Sequence, residues 1–263
     1  MCTGRITPLK KNEEGTKFRP ILRSNVLRCL ASNALLARYT KHFAKVLAPQ
    51  QHAIGKSAAA ELIARKLQEY IKENPEHAIL QLDATNAFSC VDRHAALQQL
   101  ASVAPALAPV AAIWLSRASV GVIHDQKGRK EFFYNCGGVI QGDPWSAILF
   151  ALAIKEPMDN VTQKGIELFS VGPETLSYLD DITIGAVPKQ LNDLFPCIRT
   201  ELQSVGLELN MQKTIAWIPD PRNVDITALP HIKPLLDNNA QPDGIVMCGQ
   251  PLSKYTVEEE FRG

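Results

Sequence analysis

The sequence predicts an α+β protein built from antiparallel hairpins and helices, and three observations carry this. Two β-type runs, Val120–His124 and Glu131–Asn135, flank the polar stretch Asp125–Lys130 with Gly128 inside it. Two more, Thr175–Leu179 and Ile182–Ala186, meet at Asp180-Asp181. Apolar-periodic stretches separate these runs without a regular βα alternation, which argues against a parallel sheet.

The remaining elements follow in order. Lys10–Gly15 reads as a polar turn, and Phe18–Leu22 as a short strand-like run containing Pro20. Asn25–Leu47 is expected to be a long helix, apolar at Val26, Leu27, Leu30, Leu35, Leu36 and Phe43. Ser57 is the expected N-cap of a second helix reaching about Ile71, ended by Asn74-Pro75. Ala78–Leu82 reads as a buried strand that delivers Asp83. One helix should follow Asp92, and another should span Leu107–Arg117. Gly137-Gly138 breaks the chain before Val139, and an apolar helix over Ile148–Met158 starts near Asp143-Pro144. Gln190–Val205 is expected to be helical, with Ile215–Ile218 and Gly244–Cys248 as further strands.

Composition narrows the class. At 46% hydrophobic, a chain of 263 residues can bury a core, so global disorder is excluded. The net charge of +1 hides a split: residues 1–66 hold thirteen bases and three acids, +10, and the remainder fifteen bases and twenty-four acids, −9. Such asymmetry suggests a polyanion-facing N-terminal part. No stretch approaches the ~18 apolar residues of a membrane span, and no apolar segment precedes Lys10-Lys11, so neither a membrane partner nor a secretory signal is expected. The six cysteines are scattered without a Cys-x-x-Cys pair, which points to a reducing, intracellular compartment. The six histidines show no ligand spacing.

Three acids stand out by context. Asp83 ends an apolar strand, and Asp180 and Asp181 interrupt an apolar hairpin. Adjacent like charges among aromatic and β-branched residues are costly unless something positive sits there. Mg²⁺ prefers carboxylate oxygens, and two ions ~3.5–4 Å apart would clamp both oxygens of an in-line phosphoryl transfer. Alone, an Asp-Asp pair also fits a polar hairpin turn.

The pair is not alone. Lys17-Phe18-Arg19-Pro20-Ile21, Gln51-His52-Ala53-Ile54-Gly55, Asp83-Ala84-Thr85-Asn86-Ala87-Phe88, Gly138–Ser146 (GVIQGDPWS), Tyr178-Leu179-Asp180-Asp181, Gly206–Asn210 with Lys213-Thr214, and Gly244–Leu252 occur in that order. Together they resemble the fingers blocks and polymerase motifs A to E of the reverse transcriptases of non-LTR retrotransposons and their group II intron relatives.

The resemblance implies a right-hand polymerase fold: fingers with part of the palm–fingers connection over residues 1–77, a palm with an antiparallel sheet packed on helices over 78–252, and a tail over 253–263. The family's helical thumb would follow Leu252, where eleven residues are too few for it, so a thumbless fingers–palm chain is expected. The implied activity is RNA-directed DNA synthesis from deoxynucleoside triphosphates on a primer. Asp83, Asp180 and Asp181, with the Ala84 carbonyl, would hold two Mg²⁺ ions, or Mn²⁺ in their place.

Lys17 and Arg19 would bind the incoming triphosphate, Gln141 and Gly142 would lie near the templating base, and Lys213 would protonate or position the leaving pyrophosphate. Phe88 would exclude a 2′-hydroxyl, and core packing is its alternative role. Asp143 reads better as a helix N-cap. Trp145 stands where the family usually has Leu, and Ala147 where it has Pro. The implied partners are an RNA template, a DNA primer, nucleotides and other parts of a retroelement machinery, with a nuclear site of action. The alternative is a truncated or decayed palm that binds RNA without polymerising.

Overall fold

The computed structural model describes residues 3–10, 18–116, 118–124, 128–239 and 243–253. The expected turn from Lys11 onward, and Lys17 with it, lies outside them. In chain order the elements are β1 (Thr3–Lys10), β2 (Phe18–Ser24), α1 (Val26–Val46), α2 (Ala59–Glu73), β3 (Ala78–Leu82), α3 (Ala87–Cys90), α4 (Arg93–Val103), α5 (Ala108–Leu115), β4 (Ser119–His124), β5 (Lys130–Asn135), α6 (Ser146–Phe169), β6 (Glu174–Tyr178), β7 (Asp181–Ala186), α7 (Pro188–Ser204), β8 (Ile215–Trp217), α8 (Lys233–Asp237), β9 (Gly244–Met247) and β10 (Gln250–Ser253). The α+β class is as the sequence predicts.

Local chemistry sets most boundaries. The Asn25 side chain accepts the Leu27 N–H at 2.9 Å and starts α1. Asp92 does the same for α4, accepting the His94 N–H at 2.7 Å. Ser57 does not cap α2: the left-handed Ala58 (φ 50°) turns the chain into the helix with no side-chain cap. Helix α6 runs on to Phe169, past the expected end at Met158, even though Pro157 removes a donor inside it. The burial of Met158 and Val161 beyond the proline keeps the helix on its neighbours.

The chain folds as two compact units, residues 1–46 with 86–155 and residues 47–85 with 156–263. They interleave along the chain and so differ from the expected linear segments 1–77 and 78–252. The reason lies in strand pairing and packing. In the first unit β1 pairs with β2 and, in parallel, with the distant β4, which gives the sheet β2-β1-β4-β5. Ile6, Leu22 and Ile140 form a small core there, with Ile123 and Phe133 against it. Helix α1 buries Ser32, Leu36 and Phe43, whereas Val26, Leu27 and Leu30 are exposed.

In the second unit the sheet is β6-β7-β3-β8, antiparallel throughout. Ile63, Leu67 and Ile71 of α2 pack with Ile79, Leu176 and Trp217 of this sheet and with Ile245, Met247 and Leu252 of the β9–β10 hairpin. Helix α2 therefore belongs with the strand that follows it. Among the described residues no helix is long and apolar enough to cross a membrane.

Candidate active site

Asp83 follows directly on β3, one residue beyond the Leu82–Ile182 pair of β3 with β7. Asp181 begins β7 and pairs with Tyr178, so Leu179 and Asp180 form a two-residue hairpin turn. Leu179 takes φ 56°, a left-handed conformation that few non-glycine residues adopt. Antiparallel pairing thus brings Asp83, Asp180 and Asp181 to one end of one sheet, although the first is about a hundred residues from the others in sequence.

The segment that follows α7 fastens the first of these acids. The Asp83 N–H donates to Thr214 Oγ1 at 3.2 Å, and the Asp83 carbonyl accepts the Asn210 N–H at 2.7 Å. Thr85 N–H donates to the Glu208 carbonyl at 2.8 Å. These two backbone bonds flank an isolated bridge between Ala84 and Leu209, so the Ala84 carbonyl points away from that partner. Lys213 Nζ lies 3.9 Å from Asp83 Oδ2, with both side chains about half exposed. Cys248 Sγ is 4.0 Å from Asp181 Oδ2. Burial and the Asp181 and Asp180 charges push that thiol up to about 11.

Among the described residues no three His, Cys, Asp or Glu groups are gathered closely enough to hold a metal ion. The donor chemistry fits a hard divalent cation all the same, with carboxylates and one outward backbone carbonyl at a single sheet end.

The other expected residues lie in the first unit. Arg19 is exposed on β2. Phe88 is buried, its ring stacked on Phe150 with centroids 4.7 Å apart and planes 10° apart. Its carbonyl accepts the Val139 N–H at 2.6 Å. The Gln141 carbonyl accepts the Leu22 N–H at 2.8 Å. Gly142 has φ +92°, and a Cβ there would lie 2.5 Å from the Leu22 carbonyl oxygen. The close approach that demands glycine is to β2 of the same unit. Asp143 accepts the Trp145 N–H at 3.0 Å, the expected capping role, and also pairs with Arg28. Arg28 sits over the Trp114 ring at 4.7 Å, and Trp114 meets Trp145 edge-on at 5.4 Å. The tryptophan at 145 is thus absorbed into a buried aromatic contact.

A family model described as reverse transcriptase (RNA-dependent DNA polymerase) matches residues 9–241. The chain belongs to the reverse transcriptase family. The retrotransposable element SLACS 132 kDa protein of Trypanosoma brucei gambiense is 24% identical over 212 residues, which are 80% of this chain and 17% of that protein. The chain therefore spans a small part of the length of this curated relative. Apo telomerase from Candida tropicalis, truncated from its C-terminal domain, superposes with a TM-score of 0.62 at 14% identity, over 97% of this chain and 54% of that one. Telomerase from Candida albicans with a fragment of telomeric RNA gives 0.59 at 13% identity, over 82% and 43%. These two likenesses speak to the fold.

In this reverse transcriptase family member the structure adds residues that sequence reading did not single out. Gln51 is buried and its Oε1 accepts two backbone N–H groups, from Leu179 at 3.0 Å and from Ala53 at 3.1 Å. The Ser177 N–H donates to the Gln50 carbonyl at 2.8 Å, and the His52 N–H to the Ser177 carbonyl at 2.9 Å. The 50–52 segment therefore holds the Tyr178–Asp181 hairpin from behind. The Gln-His-Ala-Ile-Gly block was visible in the sequence, but a side chain bonded 128 residues away leaves no local signal. Arg93 is a second case, donating to the carbonyls of Leu115, Asn135, Gly137 and Gly138. It ties down the loop that leads into Val139–Asp143.

Proposed function

We propose that the chain is the polymerase part of a retroelement reverse transcriptase, extending a DNA primer on an RNA template. The observation that carries this reading is the convergence of Asp83, Asp180 and Asp181 on one sheet end in a chain of this family. In this reading the second unit supplies palm functions and β1–β2 belongs to the fingers.

Asp83, Asp180, Asp181 and the Ala84 carbonyl are the groups that would hold Mg²⁺, or Mn²⁺ in its place. A cation held there would supply Lewis-acid activation of the primer 3′-hydroxyl and neutralisation of the triphosphate. Arg19, with Lys17, offers planar and point-charge contacts to triphosphate oxygens. Phe88 presents an aromatic wall with no partner for a 2′-hydroxyl, which favours deoxynucleotides. Its stack on Phe150 holds that wall rigid. Lys213 places a protonated amine within reach of the acids and of the leaving pyrophosphate. Gln141 and Gly142 line the approach of the templating base. As a retroelement enzyme it would act in the nucleus.

Extension of oligo(dT) on poly(rA) with Mg²⁺ tests the reading. The wild-type chain extends the primer, and Asp180→Asn does not while keeping its fold. Activity retained in that variant sinks the assignment. A second reading, an RNA-binding domain that does not polymerise, is favoured by the Lys213 ammonium beside Asp83, which occupies the charge role a cation would take. RNA binding without extension by the wild type would support it.

A further inference from the structure

Residues 218–239, between β8 and β9, form a bracket that reaches back to the site. Leu229, Ile232 and Leu235 are buried, and α8 packs on β8. The Asp220 N–H donates to the Pro75 carbonyl at 2.8 Å, and the His231 N–H to Oδ1 of the buried Asn192 at 2.8 Å. The buried side chains and these two ties fix where α8 ends. It ends in Asn238, whose backbone N–H donates to the Leu236 carbonyl. Both bonds of its side chain leave the helix. Asn238 Nδ2 donates to the Met211 carbonyl at 2.7 Å and to the Thr214 carbonyl at 2.9 Å.

The captured turn is the one that carries Lys213. The Asn210 carbonyl accepts the Lys213 and Thr214 N–H groups at 3.0 and 2.8 Å, and Asn210 Oδ1 accepts the Gln212 N–H at 3.1 Å. The carbonyls of Met211 and Thr214 go to Asn238. Thr214 is also buried and holds the Asp83 N–H, whereas Met211, Gln212 and Lys213 are exposed. An exposed turn with few buried contacts opens locally at low cost. An amide nitrogen carries two hydrogens, so one asparagine can bridge two carbonyls and close such a turn.

We infer that Asn238 is a positioning residue for Lys213: by closing the Met211–Thr214 turn it keeps the lysine ammonium beside Asp83, 3.9 Å from Oδ2. This rests on the proposed role of Lys213 at the leaving pyrophosphate. A side chain that served only α8 would bond within it, but this one reaches a turn 24 and 27 residues back. Thr214 has its own anchors, so the freedom that Asn238 removes belongs to residues 211–213. The lysine stem is long, and a small movement of its backbone is carried out to Nζ. Misplacing a reacting group by about 1 Å costs up to roughly a hundredfold in rate.

The test measures steady-state primer extension by the full chain, with circular dichroism melts on every variant. Asn238→Ala lowers kcat about tenfold and leaves the KM for template–primer unchanged. Asn238→Ser, whose hydroxyl is too short to bridge both carbonyls, gives the same split and guards against a folding defect peculiar to one variant. In a Lys213→Ala background Asn238→Ala costs nothing further, because the side chain it acts through is already gone. Amide hydrogen exchange speeds up over residues 210–214 in Asn238→Ala and is unchanged in α7. An unchanged kcat overturns the inference, as do losses that multiply in the double variant or unchanged exchange over the turn. A wild-type chain that extends no primer sinks the polymerase reading and the role of Lys213 with it. An active wild type matched by Asn238→Ala sinks the inference alone.

Discussion

The two groups of candidate site residues are held in different ways. The carboxylate end of the β6-β7-β3-β8 sheet is fixed through its backbone: Asp83 by Thr214 and Asn210, and the Asp180 turn by Gln51. The Asp83 side chain stays about half exposed. In the first unit Arg19 is exposed, and the other residues are built into packing. Phe88 stacks on Phe150, Gly142 lies against β2, and Arg93 gathers four carbonyls. The contrast shows an acid presented to solvent on a stiff backbone frame in one unit. Phe88 and Gly142 draw their positions from the packing of the other. Substitutions in the second unit's site should strike activity, and those in the first unit's should strike stability.

The largest expected effect is on the acids. Asp180→Asn removes roughly a thousandfold or more of primer extension, several kcal/mol of transition-state stabilisation, with little change in Tm. A large drop in Tm would break the contrast. Gly142→Ala is the converse case: the positive φ and the 2.5 Å approach to the Leu22 carbonyl should cost about 2–3 kcal/mol. A thermal melt should show this as roughly 5–10 °C.

His52 tests stability within the second unit through pH. Burial, with Lys56 and Lys66 nearby, lowers it from 6.5 to about 4. The fold holds the ring neutral where the unfolded chain would take a proton. Its contribution is complete above pH 6.5 and is lost as pH falls toward 4. Melts across that range should lose about 2 kcal/mol, and His52→Gln should remove that part of the acid limb.

Gln51→Leu deletes the acceptor that Leu179 and Ala53 share. The turnover rate should fall about tenfold, with the Mg²⁺ half-saturation point raised because the turn is loosened. A Mg²⁺ titration of primer extension reads both, and an unmoved half-saturation point would deny Gln51 its role in placing the acids. The smallest effect is at Lys213, whose pair with Asp83 is half exposed. Lys213→Ala should change stability by less than about 0.5 kcal/mol in a denaturant titration.

Much of this was legible in the residues themselves. Strand β3 coincides with the apolar run Ala78–Leu82, Asp143 takes the capping role expected of it, and a helix follows Asp92 as expected. Two β-type runs meeting on charges located the hairpin, with its turn expected at Asp180-Asp181, one residue past the observed Leu179-Asp180. Strand β1 was not legible, because Ile6 is its one fully buried side chain among those described and no apolar alternation marks it. Strand β10, which carries Pro251, was missed for a similar reason. The continuation of α6 past Pro157 was hidden because proline usually marks an end. At the site, the acids could be found because charge in an apolar context is conspicuous. Gln51 and Arg93 could not, because their partners are backbone groups, which any residue supplies.

The parallel pairing of Thr3 with Val120 has a consequence in time. A chain made from its N-terminus cannot finish its first sheet until β4 and β5 have been synthesised. Residues 47–85, which belong to the other unit, must meanwhile wait as an open loop between the two halves of the first. Contacts so distant in sequence form slowly. During translation the arginines of β1 and β2 thus exist before the acids at 180 and 181 do.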